Sequence, residues 1–124
     1  MFFAYWMVLF AGFLPYAAAS YAKAGGGDNH TPRLFAETLT GPRRRADWAQ
    51  SNHFEAFPLF AAGVIIASIS GVPHTTINWL AGIFAALRVL YTLAYITDRA
   101  SLRSGLFILG ALCVLGLFVS AGFA

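Results

Sequence analysis

Residues 104–124 read SGLFILGALCVLGLFVSAGFA, and this stretch decides the fold. It holds no Asp, Glu, Lys or Arg, and it is as long as the roughly 20 apolar residues that cross a bilayer as a helix. A strand of a membrane barrel would alternate polar and apolar residues over about ten positions. No such alternation is present, so the stretch reads as a helix. Working outward, residues 1–21 and 56–87 are equally free of those four charged types. Gly71-Val72-Pro73-His74 interrupts the second of these runs with a turn signal and divides it between two segments. Helices are therefore expected over about 2–20, 48–70, 75–96 and 103–123. The predicted class is all-α: an integral membrane four-helix bundle formed by one domain over residues 1–124.

Composition excludes an ordinary soluble domain. Charged residues are 10% of the chain, against about 25% in soluble proteins, and hydrophobic residues are 59%. A chain of 124 residues has too small an interior to hide that much apolar surface, whereas lipid permits an apolar exterior. The first apolar run reads as a retained span rather than a leader, because it lacks the positive n-region of a signal peptide. A single cysteine, Cys113, cannot form a disulfide within the chain.

Basic residues set the expected orientation. Lys23, Arg33, Arg43, Arg44 and Arg45 fall in the first connection, Arg99 and Arg103 flank the third, and the second has none. Connections one and three share a side, which the positive-inside rule makes cytoplasmic, so both termini are expected on the non-cytoplasmic side. This topology accounts for the net charge of +3 without a nucleic-acid partner.

The first connection opens with Gly25-Gly26-Gly27-Asp28-Asn29, a flexible turn. Thr31-Pro32 then reads as an N-cap followed by Pro at the first helical position. A short helix is expected over 32–39, ended by Gly41-Pro42, with Phe35 and Leu39 on one face. Arg43-Arg44-Arg45 reads first as a flanking anchor for the next span, and second as an anion site for lipid headgroups or an acidic substrate. Asn29-His30-Thr31 matches a glycosylation sequon that a cytoplasmic position would leave inert. His30, His53 and His74 have no metal-ligand spacing, and no metal site is expected.

Polar residues within the expected spans carry the functional signal, because they are costly in hydrocarbon. Asn52 and Glu55 are three apart on the second span; Arg88, Tyr91 and Tyr95 follow an i, i+3, i+7 pattern on the third. Each set shares a helix face. Glu55 lies about seven residues, roughly 10 Å, inside one span, and Arg88 about eight residues, roughly 12 Å, inside the other. Equal depth predicts a Glu55–Arg88 pair, within a subunit or between subunits. Pro58, one turn beyond Glu55, removes a helix hydrogen bond and is expected to bend the helix beside a polar-lined cavity. Ala81, Gly82, Ala85 and Ala86 give small-residue spacings suited to close helix approach.

Two motifs on these helices resemble those of a known family. Residues 49–58, AQSNHFEAFP, are similar to the N-x-x-E-x-x-P signature of the MAPEG family, the membrane-associated proteins in eicosanoid and glutathione metabolism. Residues 88–95, RVLYTLAY, are similar to its R-x-x-Y-x-x-x-Y motif on the third span. The resemblance covers nearly the whole chain and looks like a bacterial-type member, which would sit in the inner membrane. It implies a homotrimer of four-helix subunits with glutathione as co-substrate, held between neighbouring subunits near the cytoplasmic face. Asn52, Glu55, Arg88, Tyr91 and Tyr95 match glutathione-contacting positions, with Gln50 and Arg45 as further candidate ligands. An Arg at the start of the fourth span would stabilise the thiolate: Arg103, one residue late relative to Tyr95, with Arg99 competing. A thiol of pKa about 8.5 beside a guanidinium gains ionised, nucleophilic character. Where eicosanoid-pathway members carry an Arg four residues before the motif Asn, this chain has Trp48, and Arg45 lies one turn earlier.

The resemblance thus implies a glutathione-dependent transferase or peroxidase acting on lipophilic electrophiles or lipid hydroperoxides. The alternative is a non-catalytic membrane subunit, packed in a larger membrane complex or binding membrane lipids.

Overall fold

A computed structural model describes residues 2–27 and 29–124. The chain forms α1 (Phe3–Ala22), a short α2 (Pro32–Glu37), α3 (Gly41–Ile69), α4 (His74–Ile96) and α5 (Ala100–Gly122). Four of these, α1, α3, α4 and α5, are long and apolar enough to cross a membrane. Their large outward side chains, among them Phe13, Leu59, Ile69 and Trp79, are exposed on the isolated chain, as a lipid-facing surface requires.

The spans match the expected ones except at the start of α3. Gly41-Pro42 does not end the preceding helix; it begins the next one. Proline's fixed φ suits the first turn of a helix, where its missing N–H costs no bond, and Gly41 takes the φ of +62° that admits the chain. The helix α2 stops at Glu37, where Thr38 closes its last turn by donating to Phe35 O. The result is an α3 of 29 residues, about 43 Å, longer than the roughly 30 Å of hydrocarbon. Arg43, Arg44 and Arg45 therefore ride on a helix rather than in a loop. The helix also runs through Pro58 as one element.

Packing follows the small residues. Helices α3 and α4 are central: α1 packs against both on one side and α5 against both on the other. Ala81 and Ala85 of α4 are buried, and Phe60 of α3 stacks on Phe84 of α4 at 4.0 Å between ring centroids. Ala4, Ala11, Val64, Ile77 and Leu117 complete the principal core around that pair. Gly82 receives the Phe3 ring, which would lie 3.0 Å from an added Cβ. At the end bearing the chain termini, Asn78 accepts the orphan N–H of Ala4 through its side-chain oxygen at 2.9 Å, capping α1.

The other end is held by the arginine triplet. Arg43 Nε donates to Ala22 O at 2.7 Å, Arg44 Nη1 donates to Ala36 O, and Arg45 Nε donates to Ile96 O at 3.0 Å. Ala22, Ala36 and Ile96 lie in the last turns of α1, α2 and α4 respectively. Among the described residues, Ala22 O and Ile96 O accept no backbone N–H, and Ala36 O accepts only the Leu39 backbone N–H, at 3.2 Å. Each carbonyl carries the negative end of its helix dipole, so a guanidinium suits all three. Three consecutive residues point about 100° apart around a helix, which lets one triplet reach three neighbours.

Candidate functional site

A buried polar network joins α3 to α4. Arg88 Nη2 donates to Asn52 Oδ1 at 2.7 Å and to His53 Nδ1 at 2.9 Å, while Nε lies 3.3 Å from the same ring nitrogen. Arginine has donors only, so His53 Nδ1 must accept and the ring proton sits on Nε2. That N–H donates to Thr92 Oγ1 at 2.7 Å, and the Thr92 hydroxyl donates to Arg88 O at 2.9 Å. The loop closes on the residue where it began. Exposure is 3% for Arg88 and 2% for His53.

The Glu55–Arg88 pair expected from depth is corrected within the subunit. Among the described residues Arg88 makes no ion pair with Glu55, whose side chain is exposed. The reason is angular. Ala46, Ala49, His53 and Phe60 form the buried stripe of α3. Two residues advance a helix by about 200°, which turns Glu55 away from the neighbour that His53 meets. Sequence reasoning set His53 aside as a stray histidine. Its place in that stripe, at spacings of three, four and seven, was the available signal.

Aromatic rings extend the network toward the basic end. The Arg88 guanidinium lies 4.2 Å from the Tyr91 ring centre; Tyr91 meets Tyr95 edge-on at 5.7 Å. Arg103 covers Tyr95 at 4.6 Å, and Trp48 approaches Tyr95 at 6.4 Å. Arg44 lies over Trp48 at 5.3 Å. A cation on a ring face is stabilised by the ring's quadrupole, so the ladder holds Arg88 and Arg103 in fixed places without a carboxylate.

Beside the ladder runs a groove of about 230 Å³ between α3, α4 and α5. Asn52, Glu55 and Arg88 form its polar part, and Leu59, Phe84, Phe107 and Val114 are among its apolar walls. Five of the predicted residues, Asn52, Glu55, Arg88, Tyr91 and Tyr95, thus belong to the groove or its ladder, with Arg103 at the upper end. The structure separates the others. Arg99 is exposed at the N-cap of α5, where its carbonyl accepts from Arg103 N–H. Arg45 is engaged with Ile96 O. Gln50 lines a different pocket, between α3 and the first connection.

Four membrane-length helices around a buried cationic network define a multi-pass membrane protein with a polar-ended groove. The family model described as MAPEG family matches residues 2–123, nearly the entire chain, and the protein belongs to that family. Comparisons with curated proteins and with solved structures found no match.

Proposed function

We propose that the protein is a glutathione-dependent membrane enzyme, a transferase or peroxidase acting on lipophilic electrophiles or lipid hydroperoxides. One observation carries this reading. Arg88 is a buried cation whose contacts, Asn52, His53 and the Tyr91 ring, are all neutral, and it faces a groove. A buried charge without an opposite charge is costly, and an anion entering the groove removes that cost. Glutathione is such an anion, bearing two carboxylates, one ammonium and a thiol. Asn52 and Arg88 offer contacts to a carboxylate and Glu55 to the ammonium, and Arg103, over the Tyr95 ring, is the proposed stabiliser of the thiolate. The apolar walls suit a lipophilic second substrate.

In the transferase reaction the thiolate sulfur bonds to the electrophilic carbon, the leaving group departs with its electron pair, and the thiol proton passes to solvent. In the peroxidase reaction two glutathione molecules supply two electrons: the peroxide becomes an alcohol and water, and the thiols become one disulfide. In both, Arg103 favours the ionised sulfur, and the His53–Thr92 loop holds Arg88 in place.

The groove of one subunit, about 230 Å³, is smaller than the roughly 300–1,000 Å³ of sites for drug-sized ligands. Two substrates need more room, which supports assembly as a homotrimer with the site completed by a neighbouring subunit. The basic end is placed at the cytoplasmic face, and a bacterial inner membrane is the proposed location.

A second reading, a non-catalytic subunit of a larger membrane complex, is favoured by Trp48 and Arg45. Trp48 replaces a carboxylate-binding Arg, and Arg45 is held by Ile96 O. Turnover decides between them. Purified protein supplied with glutathione and either a halogenated aromatic electrophile or a fatty-acid hydroperoxide should form conjugate or disulfide above the uncatalysed rate. Absence of both products, in protein that is folded and trimeric, would leave the non-catalytic reading.

A further inference from the structure

On the opposite side of α3 from the groove, a second pocket of about 460 Å³ lies among the end of α1, helix α2 and α3. Its charged lining is Lys23, Arg33, Glu37, Arg44 and Asp47. Two of these are already engaged: Arg44 donates to Ala36 O and lies 3.9 Å from Asp47. Lys23 and Arg33 remain as exposed cations with no ion pair to a described residue. The arginine triplet, the obvious anion site in the sequence, is committed to helix ends, so these two separate residues are the available cations.

The pocket's lower wall is Phe54, and from it an aromatic ridge descends the outer face of α1. Tyr16 meets Phe54 edge-on at 5.8 Å, and Phe13 meets Tyr16 at 6.1 Å. These side chains are 47%, 57% and 61% exposed for Phe54, Tyr16 and Phe13. Lys23 follows the last residue of α1, so the cations stand where that span leaves the hydrocarbon, while Tyr16 and Phe13 lie about 10 and 15 Å deeper along the helix. A charged cup at the interface continuing into an apolar ridge within the hydrocarbon has the two-part chemistry of a phospholipid.

We infer that this face binds one phospholipid per subunit, with its phosphate between Lys23 and Arg33 and an acyl chain along Phe54, Tyr16 and Phe13. The site shares no side chain with the Arg88 groove and stands or falls independently of the enzymatic reading. Native mass spectrometry of the detergent-purified protein, titrated with phosphatidylglycerol, tests it. One tightly retained lipid per subunit is expected. Lys23→Ala with Arg33→Ala should weaken retention about 25-fold, a factor of roughly five for each basic side chain near the phosphate. Phe54→Ala with Tyr16→Ala should weaken it while leaving the cations in place. All four side chains are exposed, so the variants retain the core, and unchanged oligomer mass and thermal midpoint check this. Equal retention by the wild type and the Lys23/Arg33 variant would overturn the proposal. So would displacement of the lipid by glycerol phosphate at equal concentration, which would make the cup a site for soluble phosphate compounds.

Discussion

The guanidinium of Arg88 donates to His53 Nδ1 at 2.9 Å, and this contact fixes which nitrogen of the ring carries its proton. Nε2 must then donate to Thr92, whose hydroxyl returns to the carbonyl of Arg88. The loop ties the two central helices together through the buried side chains of Arg88 and His53. His53→Ala removes an acceptor from a buried cation and a donor from Thr92. A loss of about 2–4 kcal/mol is expected, read as a lowered thermal midpoint in detergent. Thr92→Val, which keeps the shape and deletes the hydroxyl, should cost about 1 kcal/mol. Equal small losses for both would show that the loop is not a unit.

Glu55 provides the complementary case. It lines the groove without pairing to Arg88 in the subunit, so Glu55→Gln should leave the thermal midpoint within about 0.5 kcal/mol of wild type while weakening ligand binding. Removing one partner of a buried ion pair would instead cost about 3–5 kcal/mol. A large loss would place a cation, from a neighbouring subunit, against Glu55.

Arg43 makes two bonds, to Ala22 O and, at 3.2 Å, to Gly26 O. Arg43→Ala should free the Gly25–Gly27 turn and the end of α1, at a cost of about 1–2 kcal/mol. Amide hydrogen exchange over residues 20–27 is expected to accelerate while exchange in α5 stays unchanged. Uniform acceleration across the bundle would contradict a local clamp.

Arg103 and Arg99 are separated by their surroundings, not by their charge. Arg103 is held over Tyr95, and Arg99 is exposed at the helix cap. Arg103→Ala should lower the ultraviolet thiolate absorbance of bound glutathione and slow turnover by about a hundredfold, the scale of losing one preorganised charge. Arg99→Ala should leave both near wild type. The reverse result would move the thiolate site to the α4–α5 turn.

The spans were legible because a bilayer imposes one length and one composition on every crossing, as residues 104–124 show. The start of α3 was not, since Gly41-Pro42 stops a helix from one side and starts one from the other. Asn52, Arg88, Tyr91 and Tyr95, which the structure joins in one network, could be singled out because polar residues among apolar ones stand out. His53 was missed, and Glu55 paired wrongly within the subunit, because depth and shared faces were read without the buried face of α3. The buried stripe through Ala46, Ala49 and Phe60 marks that face. The three destinations of Arg43, Arg44 and Arg45 depend on where three other helices end, which no local pattern encodes.

Equilibrium binding of radiolabelled glutathione to purified protein tests the central proposal most directly, with wild type set beside Arg88→Ala and Thr92→Val, which trims the same network but keeps its cation. Saturable binding at or below millimolar glutathione, lost in Arg88→Ala and kept in Thr92→Val, is the expected result. No binding by folded wild type at millimolar glutathione, or binding indifferent to Arg88, would contradict it.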